Sequence, residues 1–115
     1  MIIRRDSALH LAFEGLDIYD YTAQKPGPSS VGVIEVPPGA GHREAYSTRS
    51  DKYYYVISGS LSLKLGGQEH DLGAGDLCYV ARGMSFAYRN DTDTPTTTLL
   101  VHTPPFDLAD EVFVD

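Results

Sequence analysis

The sequence predicts an all-β domain built of many short strands, a sandwich or a barrel. Three observations predict it. Short runs rich in Val, Ile, Leu, Tyr and Thr recur along the chain. The 11 glycines and 7 prolines are spread between those runs and are not pooled in a linker. No segment longer than about ten residues combines helical periodicity with capping residues.

Taken in order, strands are expected at residues 2–5, 11–13, 16–21, 31–36, 52–58, 61–65, 69–72, 77–80, 85–88 and 96–102. The breaks between them carry turn chemistry at residues 25–30, 37–41, 58–60, 66–67, 73–76 and 90–95. Leu61-Ser62-Leu63-Lys64-Leu65 alternates cleanly and should show one face to a core. Gly66-Gly67 behind it supplies the positive φ values of a two-residue hairpin. The only helical expectation is a short one at residues 108–112.

A chain of 115 residues makes one domain and buries a core without a metal or disulfide staple. Nine basic against sixteen acidic residues give a formal charge of −7, which argues against nucleic acid or an anionic membrane as partner. No apolar run approaches the roughly 18 residues of a membrane span. The start, Met1-Ile2-Ile3-Arg4-Arg5-Asp6, lacks the apolar region of a signal peptide, so the cytoplasm is the expected compartment. Cys78 is the single cysteine, which excludes an internal disulfide and a multi-thiolate metal site. It sits in an apolar run and reads as a small hydrophobe. Gly39-Ala40-Gly41 has no following Gly-Lys-Ser/Thr, and there is no Gly-x-Ser-x-Gly elbow. Asn90-Asp91-Thr92 fits a glycosylation pattern but reads as a polar turn.

Gly75, five residues, Ala81-Arg82-Gly83, two residues, Phe86, three residues and Asn90 follow the spacing Gly-x5-Pro-x-Gly-x2-His-x3-Asn. Ala81 replaces the proline and Phe86 the histidine. Lys52 to Gly59 follows Glu-x6-Gly, with Pro37-Pro38-Gly39 as the opening of that motif. Thr103-Pro104-Pro105-Phe106-Asp107 looks like the exit from a last barrel strand. In these segments the chain resembles the small single-domain cupins. The resemblance implies a double-stranded β-helix, a jelly-roll barrel with a pocket between its sheets. It divides the chain into N-terminal strands and loop (1–30), conserved barrel (31–106) and acidic tail (107–115). It also implies a homodimer, with the N-terminal strands or the outward tyrosines supplying the contact.

Cupins typically hold a divalent metal with two histidines and a glutamate from the first motif and a histidine from the second. Aligned on Gly59, the glutamate slot is Lys52. The histidine slots are Tyr46 and Thr48, or Ala45 and Ser47 with a spacer one longer, and the last slot is Phe86. An ammonium repels a cation and a phenyl ring ligates none. The usual metal site is therefore expected to be absent, with no cofactor in its place. A noncanonical set of His42, Glu44 and His102 is the alternative metal site.

Strand alternation puts Tyr54 and Val56 on the face of Lys52, with Tyr53 and Tyr55 on the other. Met84, Phe86 and Tyr88 share a face in the same way. The expected pocket holds Tyr46, Lys52, Tyr54, Phe86 and Tyr88, a box suited to a flat organic molecule. Lys52 with Tyr46 or Tyr54 is the candidate catalytic set, the lysine as base or Schiff-base nucleophile and a phenol as donor to a developing enolate. Thr48, Arg49, Phe86, Tyr88, Met84 and His102 are the candidate ligand-binding residues. Arg49 can grip a carboxylate, and His102 can act as acid or base. Each has a plainer reading: Lys52 snorkelling out of the barrel mouth, the tyrosines as ordinary sheet residues, Arg49 as a surface charge near Asp51. His42 reads as a solvated loop residue, His70 as exposed, and the acidic tail as a solvated end. The functional expectation is a metal-independent isomerase, cyclase or lyase acting on a small aromatic or carbonyl-bearing molecule. A non-catalytic small-molecule-binding module and a noncanonical metal enzyme are the alternatives.

Overall fold

The computed structural model describes residues 1–25 and 27–114. Pro26 of the expected 25–30 break and Asp115 of the expected tail lie outside the described residues.

Among the described residues, each strand pairs antiparallel with a neighbour. The strands are β1 (Leu9–Phe13), β2 (Leu16–Asp20), β3 (Ser30–Val36), β4 (Gly41–Ser47), β5 (Asp51–Ser58) and β6 (Ser60–Leu65). They continue as β7 (Gln68–Gly73), β8 (Leu77–Val80), β9 (Phe86–Arg89), β10 (Thr96–Thr103) and β11 (Glu111–Phe113). One six-stranded sheet runs β1-β2-β3-β10-β5-β8, and a five-stranded sheet runs β11-β4-β9-β6-β7. The two inner faces form the all-β jelly-roll core of Leu16, Ile34, Val36, Val56, Leu61 and Leu63 with their neighbours.

Alternation decides which side chains enter it. On β5, Lys52, Tyr54 and Val56 are buried, while Tyr53, Tyr55 and Ile57 are exposed. Gly66 and Gly67 both have positive φ (55° and 85°), the backbone a tight β6–β7 hairpin demands. Gly41 has a different reason: a Cβ there would lie 2.1 Å from the Tyr88 carbonyl oxygen. Only glycine lets β4 start this close to β9, where His42 pairs with Tyr88. Asn90 is fully buried. Its Nδ2 donates to the carbonyls of Val36 (2.9 Å) and Thr94 (2.7 Å), and its Oδ1 accepts from Thr92. The asparagine closing the second motif is thus a clamp on the turn that follows.

Three expectations need correction. No strand forms at residues 2–5. Arg5–Ser7 is a 3-10 turn, Arg5 lies 3.8 Å over the Tyr19 ring, and the first strand begins only at Leu9. β4 was not expected, because Gly-His-Arg-Glu-Ala-Tyr-Ser is polar and a register shift between His42 and Ala45 breaks its alternation. The helix expected at 108–112 is a single 3-10 turn, Leu108–Asp110, capped by Asp107 accepting from the Ala109 amide at 3.0 Å. The chain then extends into β11 and adds to the edge of β4.

Candidate functional site

A cavity of about 310 Å³ opens between the sheets. Its walls are mostly apolar, from Phe13, Leu16, Ile18, Ile34, Leu100 and Phe113 among others. The polar residues lining it include Asp20, Ser30, His42, Lys52, Tyr54, Tyr88, His102 and Glu111.

Sheet register brings them together. His102 on β10 is the cross-strand partner of Lys52 on β5, so both point inward side by side. Glu111 pairs with Ser47 and Phe113 with Ala45, and both β4 residues are buried. Cross-strand partners share a face, so Glu111 and Phe113 also point inward, from the opposite sheet. The Lys52 ammonium donates to Glu111 Oε1 and lies 4.4 Å from the Phe86 ring centroid. The two side chains of the ion pair are only 3% and 5% exposed.

The two imidazoles are held neutral. Burial lowers the pKa of His42, and the Lys52 charge lowers it further against the hydrogen bond to Arg43. His42 Nδ1 lies 2.7 Å from the Arg43 carbonyl oxygen. A carbonyl only accepts, so Nδ1 carries the proton and Nε2 keeps a free lone pair. The ring sits among Phe86, Tyr88 and Phe113 at 4.9, 5.6 and 5.8 Å. Burial, aided by Lys52 and His42, pushes His102 down to about 3. Burial also drives the phenols of Tyr54 and Tyr88 up, so both stay protonated donors. Their rings meet edge-on at 5.5 Å. Burial lowers Lys52 as well, opposed by its bond to Glu111. Among the described residues, three buried side-chain atoms lack a hydrogen-bond partner: Tyr88 Oη, His102 Nε2 and Glu111 Oε2. All three belong to residues lining this cavity.

The candidate residues divide accordingly. Lys52, Tyr54, Tyr88 and His102 line the cavity, and Phe86 packs beneath it against His42 and Tyr54. Tyr46 does not reach it. It alternates with the buried Ala45 and Ser47 and pairs with Val112 on the outer face. Thr48 is spent on the Asp110 carbonyl, which its amide and hydroxyl meet at 2.8 and 3.1 Å. Arg49 turns outward to Asp110 (3.6 Å) and to the Pro105 carbonyl (3.3 Å). Met84 precedes β9 and is 39% exposed. Among the described residues no three His, Cys, Asp or Glu side chains are grouped to hold a metal ion. Glu44 pairs with Lys64 at 3.6 Å and does not join His42 and His102. The residues in the family's ligand slots do not fit a divalent cation either, since one is an ammonium already bonded to Glu111 and another is Phe86.

Two residues stand in the cavity where the sequence places neither as an organic-ligand contact; His42 enters there only as an alternative metal ligand. His42 is no solvated loop residue, because β4 carries it into the cavity. Glu111 is no part of a solvated tail. Its signal was the alternation Glu111-Val112-Phe113, too short to stand out without knowing that β4 exists.

The family profile described as "Cupin domain" matches residues 32–102. The Streptomyces glaucescens tetracenomycin polyketide synthase protein TcmJ is 34% identical over 84 residues, covering 67% of this chain and 56% of that protein. The chain thus spans about half the length of that curated relative. A variant of Streptomyces PAC13 solved with uridine superposes with a TM-score of 0.86 at 24% identity, over 99% of this chain and 90% of that one. Pac13 is described as a nucleoside dehydratase, and its structure gives the same values. The Schizosaccharomyces pombe Cnp3 cupin domain superposes with a TM-score of 0.75 at 15% identity, over 86% and 70% of the two chains. At these identities the solved structures establish the fold.

Proposed function

The chain belongs to the cupin domain family, and on that premise we propose that its cavity performs metal-independent acid–base chemistry on a small ring-bearing carbonyl compound. The observation that carries this reading is a set of three unpartnered buried polar atoms on residues that line one apolar cavity. A buried polar atom without a partner costs about 1–3 kcal/mol. Three in one place are accounted for by a ligand that completes them.

The chemistry follows from the protonation states. A ring-bearing carbonyl compound lies between the aromatic walls. The Tyr88 hydroxyl donates to its carbonyl oxygen. The neutral His42 Nε2 takes the proton from the adjacent carbon, and the C–H electron pair moves onto the carbonyl oxygen. Tyr88 and the Lys52 ammonium stabilise the resulting enolate. The imidazolium then returns its proton to another carbon in an isomerisation, or to a departing hydroxyl in an elimination. A dehydratase runs the second branch, which agrees with the description of Pac13, and TcmJ is a polyketide synthase protein. Lys52 serves here as a charge, not as the free base or Schiff-base nucleophile that its sequence position suggested, because Glu111 holds its proton in place.

One observation favours binding without turnover: Lys52 and Glu111 already neutralise each other's charge. Proton exchange separates the two readings. Incubated with 2-acetyl-1-naphthol in deuterated buffer, the protein should speed exchange of the acetyl protons, followed by NMR. A His42→Asn variant should bind the compound and lose the exchange. Saturable binding with no exchange in the parent protein would move the assignment to a binding module.

A further inference from the structure

The cavity's charge is as distinctive as its shape. Among the described residues its one lining cation, Lys52, is paired with Glu111, and Asp20 adds a second carboxylate at its wall. Asp20 is held there by Thr22, whose amide and hydroxyl donate to Oδ1 at 3.0 and 3.3 Å. No arginine lines the cavity among the described residues. His42 and His102 supply no positive charge while burial keeps them neutral. An anionic ligand would therefore meet two carboxylates against a single ammonium. The three unpartnered atoms reinforce this. Glu111 Oε2 only accepts, so it asks for a ligand donor, whereas Tyr88 Oη offers a donor.

We infer that Glu111 is a specificity-determining residue: it closes the cavity to carboxylates and phosphates and admits uncharged hydroxy-carbonyl molecules, whose hydroxyl donates to Oε2. The inference rests on the cavity being the binding site proposed above. It adds a rule for the substrate's charge that the acid–base reading does not contain. The chain reaches the rule through its C-terminal strand, since Glu111 arrives on β11 and not on a core strand of the barrel.

A matched pair of probes tests it. 2-Acetyl-1-naphthol and 1-hydroxy-2-naphthoate share a ring and a hydroxyl and differ in charge. By titration calorimetry the parent protein should bind the neutral probe at least about tenfold more tightly than the anion. Glu111→Gln keeps the shape and frees the ammonium, and should narrow or reverse that ratio. Equal affinity of the parent for both probes would overturn the inference, and this arm needs no variant to fold. An unchanged ratio in a folded Glu111→Gln protein would overturn it too. If neither ring probe binds, the substrate class proposed above fails, and isotope-labelled formate decides the charge rule separately. NMR line broadening of formate by Glu111→Gln and not by the parent supports the rule. Equal behaviour of the two proteins overturns it.

Discussion

Lys52 and Glu111 form an ion pair across 59 residues of sequence, with both side chains buried between the two sheets. The pair ties the C-terminal strand to the centre of the barrel. Breaking it from one side strands a charge in a poorly solvated place, which typically costs about 3–5 kcal/mol. Glu111→Ala and Lys52→Met should each lower stability on that scale in urea titrations. The joint replacement Lys52→Met with Glu111→Leu should recover most of the loss, because neither charge is then left unpaired. Single variants as stable as the parent would mean that the pair contributes nothing to the fold.

The buried imidazoles set a pH dependence. His102 is pushed down to about 3 and His42 is lowered from 6.5. Between its folded value and 6.5, each histidine binds a proton in the unfolded chain and not in the folded one. Stability therefore rises with pH across that window and is fully present above 6.5. As pH falls it should be lost at up to about 1.4 kcal/mol per unit for His102 alone, levelling off below about 3. Urea midpoints taken in steps from about pH 7 to about pH 4 check the slope. His102→Asn should flatten the profile more than His70→Asn, which changes an exposed residue.

Gly41 should tolerate no side chain. A Cβ there would press on the Tyr88 carbonyl at 2.1 Å, and backbone on both strands would have to move. Gly41→Ala should cost about 1–3 kcal/mol. It should also shift the NMR signals of His42 and Tyr88 more than those of Leu72 on the far strand. A stability within a few tenths of the parent would show that β4 and β9 separate easily.

The barrel was legible because its code is local. Alternation in residues 52–58 and 61–65, and glycines where positive φ is needed, specify strands and turns without long-range information. The inward-facing side chains at the centre of the candidate site were legible for the same reason. Lys52 and Tyr54 share a strand, Phe86 and Tyr88 share another, and period two puts each pair inward. What stayed hidden depends on partners far away in sequence. His42 reads as a loop residue until β9 is laid beside it through a contact that glycine alone permits. Glu111 reads as one acid among several in a tail until β4 supplies an edge. Alignment to ligand slots draws Tyr46 and Thr48 toward the pocket, and the capacity to grip a carboxylate draws Arg49 there. The bulge in β4 and the hydrogen bonds of its far end turn them outward.

Tyr88 brings stability and function into opposition. Its hydroxyl is buried without a partner, so it costs the folded protein something that a phenyl ring would not. Tyr88→Phe removes one oxygen and leaves the ring contacts with His42 and Tyr54 in place. It should leave stability unchanged or raise it by up to about 1 kcal/mol. The same change removes the donor proposed for the substrate's carbonyl oxygen. Proton exchange on 2-acetyl-1-naphthol should therefore fall by about a hundredfold, the scale of losing one oxyanion donor, with a smaller loss of affinity. Urea titration and exchange rates on the same preparation check both halves. Tyr54→Phe is the comparison, because no unpartnered atom is assigned to that phenol. A Tyr88→Phe protein that is less stable and fully active would show the hydroxyl to be a structural group and would move the donor role to Lys52.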